Sequence, residues 1–519
     1  MQGYLYPSGF YVPEKLIIAK LGSNYAKLLA GLTLTYRPPV GAAVVTKLYE
    51  KKRIAGIGCI RFPRGMISTL GKYFPVSVNL APVRRVEFPK PTLYDNQEIL
   101  CDRLAAEFTP ERITAGTAVA VLDLQAGMGK TFVASGVIYR LQMPTIYVTL
   151  RKPLVAQCIK DLCGKFGAGT AVAWRRKYSS VPVEALPKIL VAVINSAVKI
   201  PQSVMKNYSL IILDEIHTFC SAGRRAIFTS CAPAVLGMTA TVGERVDGLD
   251  PIYYTELTCG NIKGSGIIVA EDVEGFDYGD VVFTGHVDAI RYSGPSEYTK
   301  VLRHEATGKM FCPYMNSQFL SDPYRMKLIV QYILELYNWV GEDGQKHVIF
   351  VLCENRDPLP ILQTTLKQML GFEIDIADGD IDDNIDDDID HNEPNKPNDN
   401  DGKDNENTIG VFRGGISDEQ IALMPTSRVI LTTYGYASTG ISINAATAMV
   451  LLTSRKAGKQ LVGRILRRGG DISVHRRIID IIDDKTPIRK HHEVRKIAYA
   501  HYKIPVVEKT VKWEILRGG

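Results

Sequence analysis

Short apolar runs recur along this chain at spacings that leave room for one helix between each pair. From about residue 89 to 255 they read AVAVLDL, TIYVTL, ILVAVI, LIILDE and AVLGMTAT, with helical stretches between them. Apolar runs of this length alternating with helices predict βα units on a parallel sheet. From about 321 the alternation resumes: MKLIVQYILELYNWV and KQLVGRILRR predict helices, and HVIFVLC, RVILTTYGY and AMVLLTS predict strands. Residues 1–88, rich in basic, aromatic and β-branched types, predict a small accessory α/β or mainly β module, possible ground for nucleic-acid binding. Residues 256–320 read as a connector with one strand at GHVDAIRYSG, and 486–519 as a basic C-terminal tail. The expected class is α/β, with parallel-sheet domains at 89–255 and 321–485 behind the small module.

A length of 519 residues exceeds one core and suggests two to four domains. No apolar run approaches the ~18 residues that span a bilayer, and the opening MQGYLYPSGFYVPEK has neither a basic start nor an apolar stretch. No signal peptide and no membrane partner are therefore expected. Nine cysteines are scattered without a CxxC pair, which suits a reducing compartment and argues against a disulfide frame or zinc ribbon.

Charge is unevenly spread. Residues 373–407 carry 15 acidic and 2 basic side chains, a balance of −13, inside a chain whose net charge is +7. The remainder therefore holds 60 basic against 40 acidic groups, or +20. Such a body suits a polyanion such as nucleic acid, or equally a basic surface kept for solubility. The acidic tract, Asp/Asn-rich and without apolar periodicity, is expected to be a disordered insert; it lacks the spacing of an EF-hand.

Candidate chemistry begins at LQAGMGKT, residues 124–131, directly after a strand. Successive backbone N–H groups opening a helix favour an anion, and glycine lets the backbone come close. Gln125, Ala126, Gly127, Met128 and Gly129 would form the cradle, Lys130 would reach terminal phosphates, and Thr131 could hold Mg2+. Some eighty residues on, LIILDEIHTF ends a strand with Asp214 and Glu215 on the same sheet edge. Asp214 would hold Mg2+ through water and Glu215 would activate the attacking water. A solvated strand end is the alternative for the acidic pair, and the upstream GKT disfavours it. Thr239 and Thr241, in GMTATVG, could relay the state of the site. In QLVGRILRRGG, Gln460, Arg464 and Arg467 share one helical face, as an interdomain arginine finger requires.

In this order the motifs resemble superfamily 2 helicases of the DExH type. The DEIH box is Asp214–His217 and the QxxGRxxR motif runs from Gln460 to Arg467. In that superfamily the phosphate loop often carries leucine at the position of Leu124. The resemblance implies two RecA-like domains using ATP and Mg2+. It also implies Gln97 of LYDNQ as the adenine-recognising residue, coupling roles for His217, Thr239, Thr241 and Gly440, and polynucleotide contacts at Arg151 and Thr433. Ser442 departs from the Asp or Asn of many relatives. More narrowly, TTYGYASTGIS with QLVGRILRRGGD and a basic amino-terminal module is similar to helicases of large cytoplasmic DNA viruses, including the poxviral transcript-release helicase and its asfarvirus and iridovirus relatives. That similarity implies DNA or RNA as partner, a host-cytoplasmic or virion location, and viral transcription or replication proteins as further partners.

HEATG (304–308) and HHEVRK (491–496) begin like zinc-protease motifs but lack the second histidine. The tail segment RKHHEVRKIAYAHYK interleaves bases and aromatics, which suits either a phosphate grip or a solvated helix face. Two rivals to a strand-displacing motor stay open on the residues: a double-stranded DNA translocase that does not unwind, and a silent nucleic-acid-binding protein. A working finger contributes about 10³–10⁵ in rate to phosphoryl transfer. Arg467→Ala is therefore expected to lose nearly all ATP turnover while retaining ATP binding, and wild-type-like turnover would remove the residue from that role.

Overall fold

The structure is a computed structural model. It describes every residue except 1, 38–41, 126, 222, 230–231, 244, 246, 259, 278–282, 302, 304–307, 309, 311, 373–407, 414–419, 421–422, 439–445, 457–458, 467–470 and 518–519, together with the side chains at 313, 425, 438, 459 and 460. The acidic insert lies outside the described residues.

The first module contains β1 (Gly3–Tyr6), β2 (Gly9–Pro13), β3 (Thr33–Tyr36), β4 (Val44–Lys47), β5 (Glu50–Ile54), β6 (Ile57–Phe62) and β7 (Val76–Val78). Five of them form a mixed sheet ordered β5-β6-β2-β1-β7, and β3 pairs with β4 alone. The middle strand β2 is buried throughout, whereas the edge strand β5, EKKRI, is exposed and charged, which blunts the edge against further pairing.

The first α/β unit contributes β8 (Val119–Asp123), β9 (Thr145–Thr149), β10 (Ala171–Ala173), β11 (Ile189–Val193), β12 (Leu210–Asp214), β13 (Ala234–Thr239) and β14 (Ile268–Val269). The second contributes β15 (Gly285–Ser293), β16 (Ile349–Cys353), β17 (Thr408–Phe412), β18 (Ser427–Thr433), β19 (Ala448–Leu451), β20 (Arg476–Asp483) and β21 (Val506–Lys512). Every pairing in both sheets is parallel. The orders are β10-β11-β9-β12-β13-β8-β14 and β17-β18-β16-β19-β20-β15-β21. Numbered within each unit, both read third, fourth, second, fifth, sixth, first, seventh: the two RecA-like units repeat one topology.

That repeat corrects two expectations. The stretch 256–320 is not only a connector, because β14 completes the first sheet and β15 is an inner strand of the second. The stretch 486–519 is not a free tail, because β21 pairs with β15 along seven residues. Its helix Lys490–His501 buries His491, His492, Arg495, Ala498 and Tyr499 against the second unit, so those faces do not offer a phosphate grip. The sequence signal was weak there because β21, VVEKTVK, is mostly exposed and carries little apolar periodicity.

The amino-terminal module is welded to the first unit. One apolar cluster runs from Leu5, Phe10, Phe62 and Met66 into Val119, Val121, Ile146 and Ile211. At its rim Arg64, 5% exposed, donates to the carbonyls of Gly116 (3.2 Å), Ala232 (2.6 Å) and Pro233 (2.5 Å). Buried Glu256 accepts from the Arg64 backbone N–H at 2.7 Å and from Arg61 at 3.2 Å. A buried guanidinium serving three carbonyls leaves all three unpaired when removed. Arg64→Leu is expected to destabilise the chain by about 3–5 kcal/mol, read as an earlier denaturant midpoint.

Candidate nucleotide site between the two units

The carboxyl end of β8 turns into the glycine loop and then the helix Lys130–Leu141. Gly127 and Gly129 adopt φ of 86° and 79°, a left-handed backbone that favours glycine. Leu124 is 1% exposed and lies in the core beneath the loop, where an apolar side chain is at home. Gln97 is buried against the loop: its Nε2 donates to Met128 O at 3.4 Å, and a Cβ added to Gly129 would fall 2.7 Å from that nitrogen. The structure thus seats Gln97 behind the phosphate loop, with its Oε1 accepting from the Tyr94 N–H.

Across the sheet edge, β12 delivers Asp214 and Glu215. Glu215 has φ of 53°, unusual for a residue with a side chain, and the bend aims its carboxylate at the loop. Its Oε1 lies 2.9 Å from Lys130 Nζ. Burial opposes the charge on Glu215, but Lys130, then His217 and Arg464, outweigh it and hold its pKa below the ordinary value. Asp214 fares differently. Burial and then the Glu215 charge push it up to about 7, although Lys130 and Arg464 pull the other way. Asp214 Oδ1 and Glu215 Oε2 are buried without a protein hydrogen-bond partner. Two orphaned carboxylate oxygens beside a lysine fit the donor set of a hydrated Mg2+ on a triphosphate.

His217 Nδ1 lies 2.8 Å from Thr239 Oγ1, 3.3 Å from Thr241 Oγ1 and 3.6 Å from Glu215 Oε2. Burial lowers its pKa, against the opposing pull of the Glu215 charge. The three expected coupling residues from two strand ends therefore meet beside the acidic pair. Gly440 lies outside the described residues.

From the second unit Arg464 enters the same place. It is buried, its pKa lowered by that burial while Glu215 and Asp214 draw it back up. The helix over KQLVGRILRR is shorter than expected and spans Lys459–Val462. Gln460, whose side chain is not described, lies on it while Arg464 sits in the turn that follows, and the two do not share a helical face. Arg467 and Ala126 lie outside the described residues, as does Ser442.

Farther along the sheet edge, Arg151 follows β9 and reaches the other unit. Its Nη2 donates to Gly435 O at 3.2 Å and its guanidinium lies 4.9 Å from the Tyr436 ring centroid. Thr433, at the end of β18, accepts from the Tyr436 N–H at 3.2 Å and so shapes that turn. Burial, and then the like charges of Arg356 and Arg224, lower the Arg151 pKa. Three arginines from both units thus share one stretch of the cleft. Arg224 and Arg356 stand in no periodic pattern, and sequence reasoning passed over them. It also passed over His501, whose Nε2 accepts from Gln125 Nε2 at 2.9 Å across 376 residues.

Residues 90–244 match the family described as "Type III restriction enzyme, res subunit". Over 97% of its length the chain is similar to proteins of African swine fever virus named "Putative ATP-dependent RNA helicase". It is 24% identical to that of a Tick/Malawi isolate and 25% to that of a Warthog/Namibia isolate, covering 93% and 92% of them. Among solved structures, the crystal structure of T4 UvsW aligns with 99% of this chain and 100% of its own, at 14% identity and a TM-score of 0.35.

The raised Asp214 pKa has a consequence for stability. Without nucleotide, folded Asp214 keeps a proton up to about 7 that the unfolded chain releases near the ordinary 3.8. Its contribution is therefore intact below about pH 4 and is lost as pH rises toward 7. Asp214→Asn is expected to raise the thermal midpoint at pH 8, to converge on wild type near pH 4, and to lack ATP turnover. A lower midpoint at pH 8 would contradict the assigned environment.

Proposed function

We propose that this chain, a superfamily 2 helicase, is a nucleic-acid-stimulated ATPase whose two RecA-like units close on ATP and step along a polynucleotide lying across both. The observation that carries the reading is Arg464 of the second unit facing Lys130, Asp214 and Glu215 of the first. Neither half holds both cations and both carboxylates, so turnover depends on juxtaposition.

Within that cleft Lys130 exchanges its Glu215 partner for the terminal phosphates, which frees Glu215 to orient and deprotonate the attacking water. Arg464 and Arg467 neutralise charge developing on the transferred phosphoryl group. Thr131 and Asp214 would hold Mg2+, which supplies further charge neutralisation at the phosphate oxygens. His217, Thr239 and Thr241 connect the acidic pair to the strand ends that face the polynucleotide. Arg151, Arg224 and Arg356 bind its backbone without reading bases, which leaves DNA and RNA both accessible as substrates.

No helix among the described residues is long and apolar enough to cross a membrane. By analogy with the viral relatives, we place the activity in viral transcription, replication or recombination, in the host cytoplasm or the virion.

The decisive measurement is ATP turnover titrated with single- and double-stranded DNA and RNA, beside strand-displacement and triplex-displacement assays. Stimulation with strand displacement is expected; triplex displacement alone would reassign the chain as a duplex translocase, and a flat response would leave a silent binding protein. Arg464→Ala is expected to lower turnover by at least about 10³. It should also weaken the dependence of turnover on polynucleotide.

A further inference from the structure

The phosphate loop is tied to the second unit through the side chain of Gln125. Gln125 Nε2 has two N–H groups. One donates to Glu271 Oε1 of its own unit at 2.9 Å, the other to His501 Nε2 at 2.9 Å. An accepting Nε2 selects the His501 tautomer with its proton on Nδ1.

His501 ends the helix Lys490–His501, which connects β20 to β21. That helix hangs from one buried carboxylate. Asp480, on β20, accepts from Arg495 Nε (2.9 Å) and Nη2 (2.6 Å) and from the Tyr499 hydroxyl (2.8 Å), and lies 2.9 Å from His492 Nδ1. Both Asp480 and His492 are almost fully buried. A buried carboxylate with four such contacts from three side chains holds the helix in one orientation.

The same arginine also reaches loops at the carboxyl ends of neighbouring strands in its own unit. Arg495 Nη1 donates to Arg455 O at 2.6 Å, and the Arg455 guanidinium lies 5.6 Å from the Tyr434 ring centroid. Tyr434 opens the short helix Tyr434–Ser438, whose Gly435 and Tyr436 receive Arg151. One train of contacts therefore runs from the arginine cluster, through Asp480, to the first side chain of the phosphate loop.

We propose that His501 is a positioning residue for the phosphate loop, and that the helix it ends couples the polynucleotide groove to ATP binding. The proposal rests on the ATP-driven reading above. A loop anchored at both N–H groups of Gln125 loses less freedom on wrapping a triphosphate than a loop anchored at one. The second anchor exists only while the units are juxtaposed. Whatever holds them together at Arg151 and Tyr436 therefore tightens ATP, and ATP tightens the hold in return.

The test is the KM for ATP of the full chain with and without single-stranded DNA and RNA homopolymers. In wild type, polynucleotide is expected to lower KM. In His501→Ala, KM with polynucleotide should rise about five- to tenfold, the effect of one hydrogen bond, with kcat changed less than about threefold. The difference in KM with and without polynucleotide should shrink. His501→Gln, whose Oε1 can accept from Gln125, should recover most of both effects. Wild-type KM and coupling in His501→Ala, or a deficit in kcat alone that His501→Gln fails to recover, would overturn the proposal. Calorimetric binding of a non-hydrolysable ATP analogue separates it from the broader reading. If wild type binds the analogue but never turns ATP over, the motor assignment fails by itself. Weaker binding in His501→Ala would then still support the anchor, and equal binding would overturn it.

Discussion

Two cations and two carboxylates in one largely buried cleft hold this molecule's logic together. Lys130, Asp214 and Glu215 come from the first unit and Arg464 from the second, and all four are largely or wholly buried. Charges taken out of water are tolerated only in company, and removing one partner leaves the others uncompensated. The cluster has no slack: Lys130 holds the Glu215 pKa down, while burial and then the Glu215 charge raise that of Asp214. A polyanionic substrate entering such a site redistributes every pairing. That makes the geometry of the two units sensitive to what lies between them.

The repeated strand order explains how the partners arrive. In both units the carboxyl ends of parallel strands line one edge, where loops can carry function without disturbing the core. The first unit places its phosphate loop after its first strand and its acidic pair after its fifth. The second follows its fourth strand with Tyr434 and Tyr436, and its fifth with the turn bearing Arg464. One scaffold thus supplies complementary halves, and neither half duplicates the other's chemistry.

The amino-terminal module adds charge to this frame. Residues 1–88 hold 13 basic and 3 acidic side chains, half of the surplus outside the acidic insert. Because Arg64 and Glu256 lock the module to the first unit, that charge travels with the phosphate loop.

The local sequence by itself determined the elements whose physics is local: buried strands from short apolar runs, a glycine turn at Gly127 and Gly129, and a carboxylate pair at the end of β12. It also marked Arg464, although the helix expected around it ends at Val462 and the turn beyond carries the arginine. It did not reveal β21, whose exposed residues lack apolar periodicity, or the membership of β15 in the second sheet, which depends on pairing with β20 and β21 far along the chain. Nor could it show Gln97 seated behind Gly129, or His501 against Gln125. Those placements arise only when strands distant in sequence lie side by side. Tertiary structure decided them because a hydrogen bond between residues 376 apart leaves no trace in the spacing of either.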